Sequence, residues 1–501
     1  MLQRIADACA EFPDRPAFLI DGVEHSYDVF ARSLSAVRRA LSDATRQPQE
    51  KIGIVAFDDL ETYAAIFGTL FAGHSFVPIN PTLPGERIAS MLAQASIMTV
   101  FSSQADVTLS GPPGMQVIGT RTLPACPIDL SLPELAEDAL AYILFTSGST
   151  GEPKGVPISH ANLSAFLDAF FACTCKLTEH DRVLQMFELT FDFSIATYMT
   201  PLARGACVCT VPREAIKYTY VFDLLENQRI TIAPMVPSIL SYLRPYFGEI
   251  RLPALRHAYF CGEALYEDVV QEWSACVPGA LIQNFYGPTE ATVFSLVYDW
   301  VPGKAATKAR SGIVCIGKPM ALMGAILIDE NQKVVAAGER GEICLSGPQL
   351  TPGYWKNAEK NSTSFFRDAV SKTRYYRTGD LAEMDVEGDL HFCGRVDHQV
   401  QIQGYRVELA EVEFHARAAV PKINLCAVAF QNRIGNSQIH LFVEGDAKTV
   451  LQIKNHVATA LPAYMVPTGI TPVPALPLSP SGKLDRVKLA AWAKAESNGD
   501  G

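Results

Sequence analysis

Tyr142-Ile143-Leu144-Phe145-Thr146-Ser147-Gly148-Ser149-Thr150-Gly151-Glu152-Pro153-Lys154-Gly155-Val156 is the stretch from which the rest of the chain is read. The apolar run Ala141 to Phe145 predicts a short buried strand that stops where the hydroxyls begin. Four hydroxyl residues and three glycines then fall within ten positions, with Lys154 near the end. Glycines let backbone N–H groups approach an anion closely, the hydroxyls add donors, and the lysine adds a mobile cation. This is the composition of a phosphate cradle. It is not a Walker loop, because Pro153 stands five residues after Gly148, where that motif needs glycine. A polar surface turn is the plain alternative, since Ser, Thr and Gly are common loop residues.

At 501 residues the chain exceeds one compact core, so at least two domains are expected. Its composition, 48% hydrophobic and 19% charged, is that of a globular protein. A net charge of −11 argues against a nucleic-acid binder, which carries a basic stripe. The amino terminus has Asp7 where a secretory signal keeps its apolar stretch, and the longest apolar run, Tyr63 to Val77, is broken by His74. No membrane partner is expected, and the expected compartment is the cytoplasm. Twelve cysteines include no C-x-x-C pair, which points to free thiols in a reducing compartment rather than a zinc or redox site.

Upstream of the cradle, Ile52 to Ala56 is β-rich and Leu60 to Ala72 has helical spacing, the alternation of a layered α/β domain. Downstream, Asp192 lies between Phe191 and Phe193; burying it unpaired would be costly, so it needs a cation, unless it caps a helix before Ser194. Then come Ala258-Tyr259-Phe260-Cys261-Gly262-Glu263, Asn284-Phe285-Tyr286-Gly287-Pro288-Thr289-Glu290, Gly341 to Gly347, Thr351-Pro352-Gly353-Tyr354-Trp355, Tyr376 to Leu381, Gly394 to Val400, Gly404-Tyr405-Arg406-Val407-Glu408 and Ser481-Gly482-Lys483.

In this order the motifs resemble those of the adenylate-forming superfamily, and most closely the adenylation enzymes of nonribosomal peptide synthesis. The resemblance covers nearly the whole chain. It implies an α/β fold: a large N-terminal core of layered sheets with a small β-barrel, residues 1–396, then a small mobile α+β lid, 397–488, and a tail, 489–501. The hinge is expected at Asp397. ATP and Mg²⁺ are the implied cofactors. Thr146 to Gly151 and Lys154 would hold phosphates, with Gly262, Glu263 and Asn284 nearby. Tyr286 would stack on adenine, Thr289 would contact phosphate, Glu290 would carry Mg²⁺, and Asp380 and Arg395 would bind the ribose. Lys483 is the implied catalytic lysine.

The resemblance further implies two reactions: a carboxylate is activated as its adenylate, then a thiol attacks. Between them the lid turns, removing Lys483 and opening a thiol tunnel past Gly404. Asp192 would pair the ammonium of an amino acid, and the thiol would be the phosphopantetheine arm of a carrier protein. No Gly-Gly-x-Ser carrier signature follows and the chain ends 18 residues after Lys483, so a carrier acting in trans is expected. Matching the motifs puts Asp192, Phe193, Ala196, Pro234, Tyr259, Cys261, Phe285, Val293 and Phe294 around the substrate. The four aromatics either fill the pocket, leaving space for alanine or glycine, or form a slot for an aromatic acid. The cysteine before Gly262 also resembles D-alanine–carrier protein ligases, although those are less aromatic here. The alternatives are an aryl- or acyl-CoA ligase and a non-catalytic relative. Gln401 and Gln403 depart from the family pattern, where lysine and arginine are common.

Overall fold

The computed structural model describes all residues except 46, 137, 149–150, 175, 214, 304–307, 398, 422, 479–483 and 500–501. Two large sheets carry the N-terminal part. In the first, six strands run parallel in the order Pro16–Ile20, Cys207–Thr210, Arg182–Gln185, Ile232–Met235, His257–Phe260 and Leu281–Tyr286. Antiparallel strands extend it at both ends to nine. In the second, Gln116–Gly119, Thr99–Ser102, Lys51–Val55, Ser75–Ile79 and Leu140–Thr146 are parallel, and Lys154–Ser159 turns back antiparallel. Parallel sheets need cover on both faces. The helices Leu60–Phe71 and Asp192–Leu202 accordingly bury residues on every side, as a helix apolar all round must.

The expected small barrel takes the form of a five-stranded antiparallel sheet in which the long strand Arg374–Met384 pairs with three neighbours. After Leu390–Arg395 the chain leaves this sheet, passes Asp397, and enters the hairpin Gln399–Ile402 and Tyr405–Glu408. A small C-terminal domain follows: helix Leu409–Ala419, strands Leu425–Gln431 and Ser437–Val443, helix Ala447–Ala460 and strand Gly469–Pro472. Its apolar core, built on Val407, Val412, Leu441 and Val457, is separate from that of the large part.

One expectation fails. Residues 489–498 do not form a tail. Helix Arg486–Asn498, capped by the Asp485 side chain on the Lys488 N–H, crosses that boundary. Leu489 and Ala493, one helical turn apart on one face, are buried against Cys426, Val428 and Phe442. The helix is part of the domain's core.

Candidate active site

The expected site residues come from the carboxyl ends of parallel strands, the usual ligand position in such sheets. Leu140–Thr146 delivers Ser147 and Gly148, Arg182–Gln185 leads to Asp192, and Ile232–Met235 carries Pro234. His257–Phe260 ends at Cys261-Gly262-Glu263, and Leu281–Tyr286 ends at Thr289-Glu290. A cavity of about 520 Å³ has Asp192, Phe193, Cys261, Gly262, Glu263, Asn284, Phe285, Tyr286, Thr289, Val293, Phe294, Asp380 and Arg395 among its walls. Ser149, Thr150 and Lys483 lie outside the described residues.

Asp192 is the first residue of its helix, whose N-cap is Phe191, so the capping alternative does not hold. Half-buried at the cavity wall, it makes no ion pair among the described residues. Its carboxyl is pushed up to about 6, chiefly by burial; a hydrogen bond from Thr289 works against the shift, and the Glu290 charge adds to it. A carboxylate whose charge is disfavoured by burial, with only the more distant Arg406 charge working on it and no ion pair among the described residues, suits an incoming ammonium.

Phe193, Tyr259, Phe285 and Phe294 pack on one another. Phe285 and Phe294 stack with centroids 4.6 Å apart, and the Phe193 edge meets Phe294 at 5.1 Å. Phe166 and Phe170, from helix His160–Cys173, press on the same rings at 5.9 Å, Phe166 against Phe294 and Phe170 against Phe285. Ala196, Pro234 and Tyr259 are buried and do not line the cavity. The two helical phenylalanines are not among the expected pocket residues; their i, i+4 spacing on one helix face is the available signal.

The nucleoside-binding candidates form a closed network. The Tyr286 hydroxyl donates to Asp380, Arg395 pairs with Asp380, and Arg395 also reaches Asp397 at 2.6 and 2.8 Å. Burial raises the Asp380 carboxyl despite the Arg395 charge and the Tyr286 hydrogen bond. Asn284, also at the cavity wall, donates its amide N–H to the Cys315 carbonyl at 3.0 Å.

Glu290 is 1% exposed. It accepts from the Tyr354 hydroxyl at 2.6 Å and pairs with Arg406 at 3.1 Å. Burial alone would raise its pKa, but Arg406 and then Tyr354 outweigh it and hold the carboxyl at about 2. A buried, ionised carboxylate is a hard oxygen donor of the kind Mg²⁺ takes, free for it in an arrangement where Arg406 does not occupy it. Among the described residues no group of three metal-ligating side chains gathers. Mg²⁺ there would therefore take its other ligands from phosphates and water, as it commonly does.

Sequence reasoning gives no role to the residues that seat the small domain here. Arg406 and Glu408 lie two apart on one strand face. Glu408 accepts from the Lys154 ammonium at 3.2 Å, and Glu411 accepts from the Gly148 N–H at 3.2 Å and pairs with Arg87. The Ser147 hydroxyl donates to the Arg406 carbonyl at 2.8 Å. Glu263 receives the Ser238 N–H at 2.8 Å and the Gly404 N–H at 2.9 Å. Two carboxylates and a guanidinium from the small domain thus occupy the loop and the Glu290 position. Gln401, which departs from the expected lysine, is satisfied as a neutral amide. Oriented to donate, its nitrogen meets the carbonyls of Gly262, Gly404 and Tyr405 at 3.2 Å.

Two layered parallel sheets with a glycine- and hydroxyl-rich loop at their carboxyl edge, and a small domain seated over it, define an adenylate-forming fold. The chain belongs to the AMP-binding enzyme family, whose model matches residues 5–355. It is 33% identical over 489 residues to a component of the linear gramicidin synthase of Brevibacillus parabrevis, covering 95% of this chain and 9% of that one. With tyrocidine synthase 1 of the same organism the identity is 29% over 497 residues, covering 97% and 44%. The chain thus spans less than half the length of these relatives. Among solved structures, holo-PA1221, a protein of nonribosomal peptide synthesis with adenylation and carrier domains and a vinylsulfonamide inhibitor bound, matches with a TM-score of 0.85 at 26% identity, over 97% of this chain and 83% of that one. The Vibrio cholerae adenylation domain AlmE, in complex with glycyl-adenosine-5'-phosphate, has the same fold, with a TM-score of 0.85 at 23% identity over 98% and 97%. No helix among the described residues is long and apolar enough to cross a membrane.

Proposed function

We propose that the chain activates a small α-amino acid with ATP and passes it to a phosphopantetheine thiol on a carrier domain or protein. The observation that carries the amino-acid reading is Asp192: a half-buried carboxylate at the wall of the cavity, with no ion pair among the described residues. A fatty or aryl acid brings no ammonium to match it.

The chemistry follows from the side chains. Asp192 holds the ammonium and orients the substrate carboxylate toward the α-phosphate of ATP. An O–P bond forms as the α–β linkage breaks, giving aminoacyl adenylate and pyrophosphate. Little covalent work falls to the protein; positioning and charge stabilisation dominate. Tyr286, Asp380 and Arg395 hold the nucleoside, and the Gly148 N–H and Lys154 hold phosphate oxygens. Glu290 would hold Mg²⁺, which when bound would neutralise charge on the phosphates. Lys483, which lies outside the described residues, would stabilise the attacking carboxylate. A thiol then attacks the acyl carbon and AMP leaves.

The seated arrangement suits that second step. Gly404 lies against Gly262, so that a Cβ added at Gly262 would stand 3.6 Å from the Gly404 Cα. A separate apolar cavity of about 280 Å³ beside it, walled by Phe187, Phe191, Val236, Gln403 and Tyr405, offers a thiol arm an approach. The boundary near Asp397, between the last strand of the large part and the hairpin of the small one, is where the turn would occur.

The mutually packed aromatic rings favour the filled-pocket reading, with glycine or alanine as substrate. Pyrophosphate exchange across the amino acids and a set of aryl acids tests it: exchange with small amino acids is expected, and exchange with an aryl acid alone would replace the reading. Phe294→Ala should admit valine or leucine, each added methylene being worth roughly 1 kcal/mol or somewhat more, with only modest loss on alanine. A slot for an aromatic acid predicts the reverse, since losing a stacking wall costs about 0.5–1.5 kcal/mol beyond area.

Titration gives an independent test. Protonation of Asp192 removes the partner of the ammonium, so amino-acid kcat/KM should fall as pH drops through about 6. A des-amino analogue should lack this ionisation. Parallel profiles for both substrates would detach Asp192 from the ammonium.

A further inference from the structure

Lys154 faces two ways. On one side its ammonium meets Glu408 of the seated small domain. On the other it lines a cavity of about 450 Å³ that shares no wall residue with the large cleft; Glu152, Tyr354, Trp355, Lys356 and Lys360 also line it. Three lysines line it, Lys154, Lys356 and Lys360, while Lys51 is not among its walls; the Lys356 ammonium also donates to the Gln94 carbonyl and the Ser96 hydroxyl, each at 3.1 Å. Lys51 and Lys356 place their ammonium groups 4.9 and 5.6 Å from the Trp355 ring centroid, Lys154 stands 6.0 Å from that of Tyr354, and Lys360 comes from helix Ala358–Ser364. In a chain of net charge −11 this is a concentration of positive charge. Two carboxylates line the cavity as well. Glu152 is engaged by the Ser90 hydroxyl at 2.8 Å and Gln94, and Glu359 is exposed at the rim.

The lysines crowd one another. Burial and then the Lys154 charge lower the Lys360 ammonium, and burial and then Lys356 lower that of Lys51. A multivalent anion relieves such repulsion. The other side of the loop is filled in this arrangement, with Glu411 on the Gly148 N–H and Glu408 on Lys154.

We propose that this lysine-lined cavity beside the phosphate loop is a second anion site that takes inorganic pyrophosphate, with Lys356 and Lys360 as its own ligands and Lys154 shared with the loop. The site rests on the adenylation reading for the source of its ligand. A diphosphate released from the loop passes to it as the small domain seats. A diphosphate carries more negative charge over a longer span than a monophosphate, so it contacts several ammonium groups more strongly.

The test uses Lys356→Glu/Lys360→Glu in the full chain; both positions are exposed, so folding is expected to survive, with a thermal melt as control. In pyrophosphate exchange the KM for pyrophosphate should rise about tenfold, on the order of what reversing two partly screened contacts supplies. The KM for ATP, read separately by trapping the adenylate with hydroxylamine, should stay within about twofold, the span of a weak surface effect. Without ATP, pyrophosphate should change the fluorescence of Trp355, identified by its loss in Trp355→Phe, and the double variant should respond only at higher concentration. An unchanged pyrophosphate KM, a parallel rise in the ATP KM, or equal responses to orthophosphate and pyrophosphate would overturn the site. Failure of the parent protein to form any adenylate would instead strike the adenylation reading, and the fluorescence titration would still decide the cavity.

Discussion

Asp192→Ala should weaken an amino-acid substrate by about 3–5 kcal/mol, the usual cost of leaving one member of a buried ion pair unmatched, which is a loss of 10²-fold or more. The expectation rests on the carboxylate's surroundings. It sits at the cavity wall, is pushed up to about 6 by burial, and makes no ion pair among the described residues. The substrate ammonium would be its counter-ion, so removing the carboxylate strands that ammonium in a dry site. The des-amino analogue brings no charge and should lose far less. The ratio of the two losses in pyrophosphate exchange is the measurement. Equal losses would mean that the ammonium does not meet Asp192, and would move the reading toward an aryl acid.

Gly404→Val should separate the two half-reactions. Gly404 has φ +84°, and a Cβ there would stand 2.6 Å from Val236 Cγ1 while the residue's N–H is held by Glu263. A branched side chain meets both the backbone penalty of the left-handed region and an overpacked contact, each about 1–3 kcal/mol. The contact part of that cost falls only on the seated arrangement, whereas the backbone part belongs to the two-residue hairpin turn itself. Thiol transfer should therefore drop by roughly tenfold or more relative to adenylate formation, by the usual conversion of about 1–3 kcal/mol of barrier to rate. Stopped-flow release of pyrophosphate and gel or mass readout of the loaded thiol measure the two steps separately. Parallel loss in both would mean that the contact between Gly404 and Val236 does not serve the thiol step.

The motif-bearing loops are legible in the sequence because their residue types are demanded by local chemistry. A run such as Tyr286-Gly287-Pro288-Thr289-Glu290 has no other common use, and the structure brings Tyr286, Asp380 and Arg395 together as the motif order implies. The β-rich run at Ile52 and the helical spacing from Leu60 are legible from periodicity, as the strand Lys51–Val55 and the helix Leu60–Phe71. The seating of the small domain is not. Glu411 meets Gly148, and Arg406 meets Glu290, across more than a hundred residues of chain, and no local pattern encodes such a contact. Helix Arg486–Asn498 reads as a tail in the sequence although Leu489 and Ala493 carry an apolar stripe; its partner, the strand Leu425–Gln431, makes sense of the stripe only in three dimensions. Phe166 and Phe170 carry no motif in the sequence, and in the structure they are core residues whose rings press on Phe294 and Phe285 of the pocket.

The most direct test of the central claim is the intact mass of a phosphopantetheine-bearing carrier after incubation with this protein, ATP, Mg²⁺ and single acids. A gain of one aminoacyl unit is expected with glycine or alanine, lost in Asp192→Ala, and no gain with the matching des-amino acid. A carrier that gains an aryl or fatty acyl group instead, with Asp192→Ala unaffected, would contradict the amino-acid reading.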